Sequence, residues 1–253
     1  MIKNGKMFIS KSKFLCYKSC PFKFKLQYID HAQEPRTKFS FYSDRGTNIH
    51  KQIEEFYERD VKIKDEEFKI IRDEKEEIVV KPVVVFNRSK YKKNPHIKNL
   101  IQFNEQLIKG IIENNKSLDY VYPITQEVDY YDNELKVHGL IDAVYRNYED
   151  DGIIIMDWKS GKIKSLDAIR SEMAFYALCF NGDPKNKGEK VKYWAMYFTK
   201  FNYLFMEEIN EDIIKKVTDE VSCIQNFIEL GQFPKPFIKN MCHFCGYSGG
   251  ECK

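Results

Sequence analysis

The sequence predicts an α/β fold, and three observations carry that expectation. From Pro123 onward, TQEVDYY, LKVHGLIDAVYRN and GIIIMDWKSG read as three successive strands, with Asp132-Asn133 and Asp150-Asp151-Gly152 as the turns between them. Segments of helical period flank this run on both sides. No internal repeat, Gly/Ser linker or low-complexity tract divides the chain, so residues 1–253 read as one domain able to bury a substantial core.

Taken in order, residues 10–30 read as a short helix carrying Cys16 and Cys20. The segment GTNIHKQIEEFYER places Ile49, Ile53 and Phe56 at helical spacing, with Asp44 before it as a cap. Residues 60–120 read as charged and helical, interrupted by IVVKPVVVF and by the basic loop from Asn87 to His96. After the three strands come a helix from Leu166 to Phe180, two strands (VKYWAMYFTK and NYLFMEEI) and a long helix from Asp212 to Leu230. Pro234 and Pro236 stop that helix and lead into a cysteine-rich end. The domain thus divides into a helical region (46–122), a core (123–231) and two ends (1–45 and 232–253) that the cysteines bring together.

Composition narrows the function classes. The net charge of +3 is too weak to name a nucleic-acid partner, and 15% aromatic residues supply stacking surfaces as well as core. The N-terminus MIKNGKMFIS lacks an apolar signal core and no run reaches membrane-spanning length, so the expectation is a cytoplasmic protein without a membrane partner. Seven cysteines in such a chain point to metal rather than to disulfides. Cys242, Cys245 and Cys252 form a knuckle one ligand short of a tetrahedron, and Cys20, followed by Pro21, can supply the fourth thiolate. Soft thiolates suit an iron–sulfur cluster or zinc. Cys16 is the rival of Cys20 but lacks the proline, while Cys179 and Cys223 read as buried thiols.

The chemistry centres on Gly139-Leu140-Ile141-Asp142 and Asp157-Trp158-Lys159. A turn symmetric about Asp150-Asp151 sets Asp142 opposite Lys159, with Asp157 on the same face of the sheet. Two carboxylates and a lysine then converge. Asp142 and Asp157 are hard oxygen ligands for a divalent cation, the Trp158 carbonyl is a further ligand, and Lys159 suits a role at the nucleophilic water and the phosphate. The charged end of the apolar strand GIIIM also favours a site over a solvated hairpin.

These motifs resemble the PD-(D/E)XK nuclease superfamily, specifically its RecB-like branch, over roughly residues 10 to 252. The resemblance implies a restriction-endonuclease-like core, a mixed sheet flanked by helices, with a helical N-terminal insertion and a C-terminal knuckle closing on the N-terminus. It implies that His50, in Gly46-Thr47-Asn48-Ile49-His50, is a metal ligand and that Glu127 on the preceding strand assists, with Asp129 as fallback. Tyr176 matches a Gln-x-x-x-Tyr helix motif, but Glu172 stands where the glutamine is usual. The cysteine order resembles that of AddB and the CRISPR-adaptation exonucleases, which implies a structural [4Fe–4S] cluster on Cys20, Cys242, Cys245 and Cys252.

The activity implied is a Mn2+- or Mg2+-dependent DNA exonuclease acting on single-stranded ends or overhangs. A helicase or CRISPR-adaptation proteins are the implied partners, since no Walker A motif is present. The competing readings are a non-catalytic DNA-end-binding subunit and a zinc-dependent interaction protein. For DNA contacts the sequence offers Arg36, Lys38, Arg45, Arg88, Lys90, Lys92 and Lys93, with Phe39, Phe41 and Tyr42 as stacking candidates.

Overall fold

The computed structural model describes residues 2–3, 6–33, 40–72, 75–235, 242, 245–248 and 252. Arg36, Lys38, Phe39, Pro236 and His243 lie outside these residues, as do the side chains of Phe41, Tyr42, Asp44 and Arg45.

The chain begins with a short antiparallel pair, β1 (Ile2–Lys3) and β2 (Lys6–Met7), and then β3 (Ile9–Ser10). Ser10 caps α1 (Lys11–Ser19) by accepting from the Lys13 N–H. Cys20, in extended conformation, separates α1 from α2 (Pro21–Phe24), and its Sγ accepts the Lys23 N–H at 3.3 Å. Pro21 occupies the first turn of α2, where a missing N–H leaves no hydrogen bond broken. The helix α3 (Ser40–Glu55) starts before Asp44, so that residue lies inside the helix and is not its cap.

A correction falls on residues 61–86. They form a ribbon of two twelve-residue strands, β4 (Val61–Arg72) and β5 (Lys75–Phe86), paired from Val61↔Phe86 to Arg72↔Lys75, and are not helical. The β-branched run IVVKPVVVF loses side-chain freedom in a helix and packs well on a pleated surface. Pro82 is tolerated because each strand of a two-stranded ribbon has an open edge.

The helix α4 (Pro95–Glu113), capped by Asn94, precedes β6 (Thr125–Asp132), β7 (Val137–Arg146) and β8 (Ile153–Lys159). Then follow α5 (Leu166–Gly182), β9 (Val191–Phe198), β10 (Tyr203–Glu208) and α6 (Glu211–Glu229). The main sheet runs β10-β9-β8-β7-β3, with β6 on the other edge of β7. Pairs β8–β9 and β3–β7 are parallel and the others antiparallel, which makes it a mixed sheet. Helices cover both faces. One core gathers Phe14, Ile155, Phe175 and Trp194 between the sheet and α1, α5 and α6; the other gathers Ile53, Leu100, Trp158 and Tyr197 beneath α3 and α4.

One edge of β7 is shared by two partners. β8 pairs with Ala143 to Arg146, whereas β3 pairs with Val137 and His138. Between these stretches β7 and β8 part, while β8 continues beside β9 as far as Lys159↔Phe198. The fork so formed holds the candidate site.

Candidate active site

The turn between β7 and β8 is longer than its symmetric reading. The Asn147 N–H donates to Gly152 O at 2.8 Å, Asp151 takes a left-handed φ of 61°, and Ala143 pairs with Met156. Continued upward, that register sets Asp142 against Asp157, not against Lys159. The slip is two residues, so every side chain keeps its face.

A local distortion lies at Asp142. Val137 and Ile141 pack in the α5-side core, but Ala143 and Tyr145 pack in the α4-side core, so the strand exchanges its faces at this residue. Across the ladder Glu127, between the paired Gln126 and Val128, adopts a left-handed φ of 49°. Such backbone is uncommon for a residue other than glycine and clusters at functional sites. Gly139 is required by close approach: a Cβ there would meet the Tyr176 ring at 2.9 Å and Cys179 Sγ at 3.4 Å.

Toward α3 the fork carries His50, Glu127 and Asp142, whose ligand atoms lie within 4.8 Å of one another. His50 Nδ1 faces Asp142 Oδ1 at 3.5 Å and Glu127 Oε1 at 3.7 Å, while its Nε2 donates to the Trp158 carbonyl at 2.8 Å. A carbonyl only accepts, so Nε2 carries the hydrogen and the Nδ1 side is turned to the carboxylates. A backbone carbonyl that orients a histidine in this way is a common support for a metal ligand. The Trp158 backbone thus links the two ligand candidates: its carbonyl orients His50, and its N–H donates to Asp142 Oδ2 at 2.7 Å. Burial opposes a charge on His50, but its bonds to Asp142 and Glu127 outweigh it and raise the pKa to about 10.

Toward α5 the fork carries Asp157, Lys159 and Glu172, joined by Lys11. Asp157 is 1% exposed and Glu172 2%. Lys159 Nζ lies 2.5 Å from Asp157 Oδ2 and 3.1 Å from Glu172 Oε1. Lys11 Nζ donates to Glu172 Oε1 at 2.8 Å, stands 3.7 Å from Asp157 Oδ1, and covers the Tyr176 ring at 4.8 Å. Lys164 completes the set on Glu172 Oε2.

Burial raises the Asp157 pKa, with Lys159 pulling the other way. Burial also opposes the charge of Glu172, but the three lysines hold its carboxyl well below the usual range. Lys159 and Lys11 are raised above theirs: burial opposes their charge, and Asp157 and Glu172 overcome it. Both Asp157 oxygens nevertheless lack a hydrogen-bond donor of good geometry, so ion pairs alone hold this buried carboxylate. Two carboxylates with an imidazole, and a third carboxylate not fully satisfied, fit a hard divalent cation of the Mg2+ or Mn2+ kind.

Sequence reasoning missed Lys11. Its signal was indirect: a carboxylate in place of the glutamine at position 172 needs a cation nearby, and the capped start of α1 carries one. Among the residues proposed for phosphate tracking, Arg88 pairs with Glu105 and Lys90 with the buried Asp60, and all four of Arg88, Lys90, Lys92 and Lys93 are exposed. Cys223, expected to be buried, is exposed on α6.

At the chain ends, Cys20, Cys242, Cys245 and Cys252 are all half-buried. Burial raises the Cys252 thiol pKa, Lys235 opposes this, and the three other thiols act on it in the same sense as burial. The ends are tied by Tyr247 OH donating to Ala32 O at 2.9 Å, by Tyr17 OH donating to Gln232 O at 2.7 Å, and by Phe24 stacked on Phe233. Among the described residues no three of these thiols come within 4.8 Å of one another.

A family model described as the PD-(D/E)XK nuclease superfamily matches residues 9–249. The chain belongs to the PD-(D/E)XK nuclease superfamily. The match takes in the fork, both of its sides and most of the cysteine knuckle, and a nuclease of this superfamily has a metal-dependent chemistry and DNA as its substrate. Among solved structures the chain is similar to the crystal structure of SSO0001, at 12% identity and a TM-score of 0.40, over 98% of this chain and 87% of that one. No curated protein matches it. Among the described residues no helix is long and apolar enough to cross a membrane.

Proposed function

We propose that this nuclease is a Mn2+- or Mg2+-dependent DNA exonuclease of the RecB-like branch, acting on single-stranded ends or overhangs. The observation that carries the reading is the convergence, in one fork of the sheet, of His50, Glu127 and Asp142 with Asp157 and Lys159. His50, Glu127 and Asp142 would hold the cation, with Asp157 as a ligand from the buried side. When bound, such a cation polarises the phosphate and lowers the pKa of water. Lys159 positions the attacking water and, with Lys11, meets the charge that develops on the phosphate. Glu172 fixes both ammonium groups through Oε1. Tyr176 seats α5 against Gly139 and lies beneath Lys11, which makes it a positioning residue.

Residues 1–45 and 232–253 together form a clamp for a structural [4Fe–4S] cluster on Cys20, Cys242, Cys245 and Cys252. The order of these cysteines, one before a proline near the start and three at the end, is what supports the cluster reading; zinc on the same four thiolates is the alternative. A helicase or CRISPR-adaptation proteins would supply the ends on which the enzyme acts.

The deciding experiment is cleavage of end-labelled single- and double-stranded DNA with Mn2+ or Mg2+, comparing anaerobically purified protein with Asp157→Ala. Metal-dependent cleavage that the variant loses supports the reading, and the product ladder gives the polarity. Binding of ends without cleavage overturns it in favour of an end-binding subunit. A brown chromophore lost in Cys20→Ser supports the cluster, and stoichiometric zinc in a colourless protein overturns it.

A further inference from the structure

The His50, Glu127 and Asp142 group opens onto a strip of sheet face outside both cores. On β7, His138 and Leu140 alternate with Val137, Gly139 and Ile141, which face α5, and β6 sets Tyr131 and Asp129 beside them. Leu140 is 49% exposed and Tyr131 37%. His138 lies four residues before Asp142 on the same strand, about 13 Å away. That is the span of a few nucleotides.

The far end of this strip is aromatic. The Tyr131 and His138 rings stack with centroids 5.2 Å apart and planes 11° apart, and Phe8 meets both edge-on at 6.0 and 6.4 Å. These residues line a cleft of about 600 Å³ together with Lys13 and Lys185. The nearby acids are engaged in holding the rings. Asp129 accepts from Tyr131 OH at 2.7 Å and faces His138 Nδ1 at 3.2 Å, and Asp183 accepts the Tyr131 N–H at 2.8 Å and pairs with Lys185 at 3.8 Å. Lys185 also lies 5.6 Å from the Tyr131 ring centroid. Lys13 donates to the Phe8 carbonyl at 2.9 Å, and among the described residues no carboxylate pairs with it. A rigid aromatic surface beside an ammonium group with no carboxylate partner suits an unpaired base and its phosphate, since stacking accepts any base and lysine neutralises the backbone.

We propose that the Tyr131–His138 stack is a base-binding platform for the single DNA strand whose backbone enters the fork, with Lys13 and Lys185 meeting its phosphates. The proposal rests on the nuclease reading and adds a subsite to it. The test is anisotropy of end-labelled oligothymidylate on full-length Asp157→Asn protein, with and without Tyr131→Ala. Tyr131→Ala is expected to weaken binding on the order of 10-fold, with an unchanged melting temperature, and Tyr131→Phe to restore most of the loss. Lys13→Gln should lower the slope of log affinity against log salt by about 0.7.

Equal affinity with and without the Tyr131 ring overturns the platform. So does an equal loss on blunt duplex, whose bases are not free to stack. Mn2+-dependent cleavage by the unsubstituted protein is read separately. Cleavage intact with no effect of Tyr131 removes the platform and leaves the nuclease standing. Ring-dependent binding without cleavage keeps the platform and removes the nuclease.

Discussion

The two sides of the fork differ in burial and in charge. On the α3 side, His50 and Glu127 keep 26% and 23% of their side-chain surface exposed and the excess charge is negative. On the α5 side, Asp157 and Glu172 are sealed, and three lysines supply the positive charge. The open side can admit and release a mobile cation. The sealed side fixes its cations covalently, in side chains whose desolvation is offset by two carboxylates. A bound phosphate would lie between a replaceable positive charge and a permanent one.

The largest effect should come from the residues that bridge the two sides. Asp142→Asn and Asp157→Asn are each expected to reduce Mn2+-dependent cleavage by on the order of 1,000-fold, a size seen when a preorganised electrostatic contact is lost. Oligonucleotide binding should persist in both. Residual cleavage within tenfold of the parent protein would mean that the bridge is not the site.

Next comes the sealed side as a stability element. Removing one member of a buried ion cluster costs about 3–5 kcal/mol, so Glu172→Gln should lower the urea midpoint strongly. Lys11→Met together with Glu172→Gln should recover part of that loss, because the lysine is no longer stranded. A strictly additive double-mutant cycle would show that the two residues act independently.

The open side predicts a different phenotype. His50→Ala should raise the Mn2+ concentration needed for half-maximal cleavage by on the order of 10- to 100-fold, with activity returning at high metal and little change in the urea midpoint. A loss that excess metal does not restore would place His50 elsewhere in the reaction.

The smallest effect concerns pH. The Glu172 carboxyl is held below its ordinary value of 4.5, because the three lysines outweigh burial. A depressed carboxyl contributes stability that is fully present above its unfolded value and is lost as pH falls through the folded one. The stability difference between the parent protein and Glu172→Gln should therefore be constant near neutrality and shrink once the pH drops below 4.5. A difference that widens in acid would contradict the ion-pair account.

Much of this was readable from local pattern. The strands 125–132, 137–146 and 153–159 and the helices 166–182 and 211–229 follow from alternation, helical period and caps, which act over a few residues. Facing was readable too. Period-two geometry kept Asp157 and Lys159 on one face of β8, and the two-residue slip of the turn left that facing unchanged, whereas the side on which Asp142 lies was set by the exchange of faces in β7.

What the tertiary structure decided depends on encounters that no local pattern encodes. Lys11 meets Glu172 across 161 positions of sequence, and that contact shows how a buried carboxylate is accommodated at position 172. The exchange of faces at Asp142 and the left-handed backbone of Glu127 arise because two neighbouring strands distort together. The ribbon 61–86 was hidden because its charged residues satisfy a helical composition, and only the pairing of the two strands identifies it. Sequence determined which chemical groups were available and which way most of them face; the parting of β7 and β8 determined which of them meet, because side chains from six separate elements can share a site only where the sheet opens to receive them.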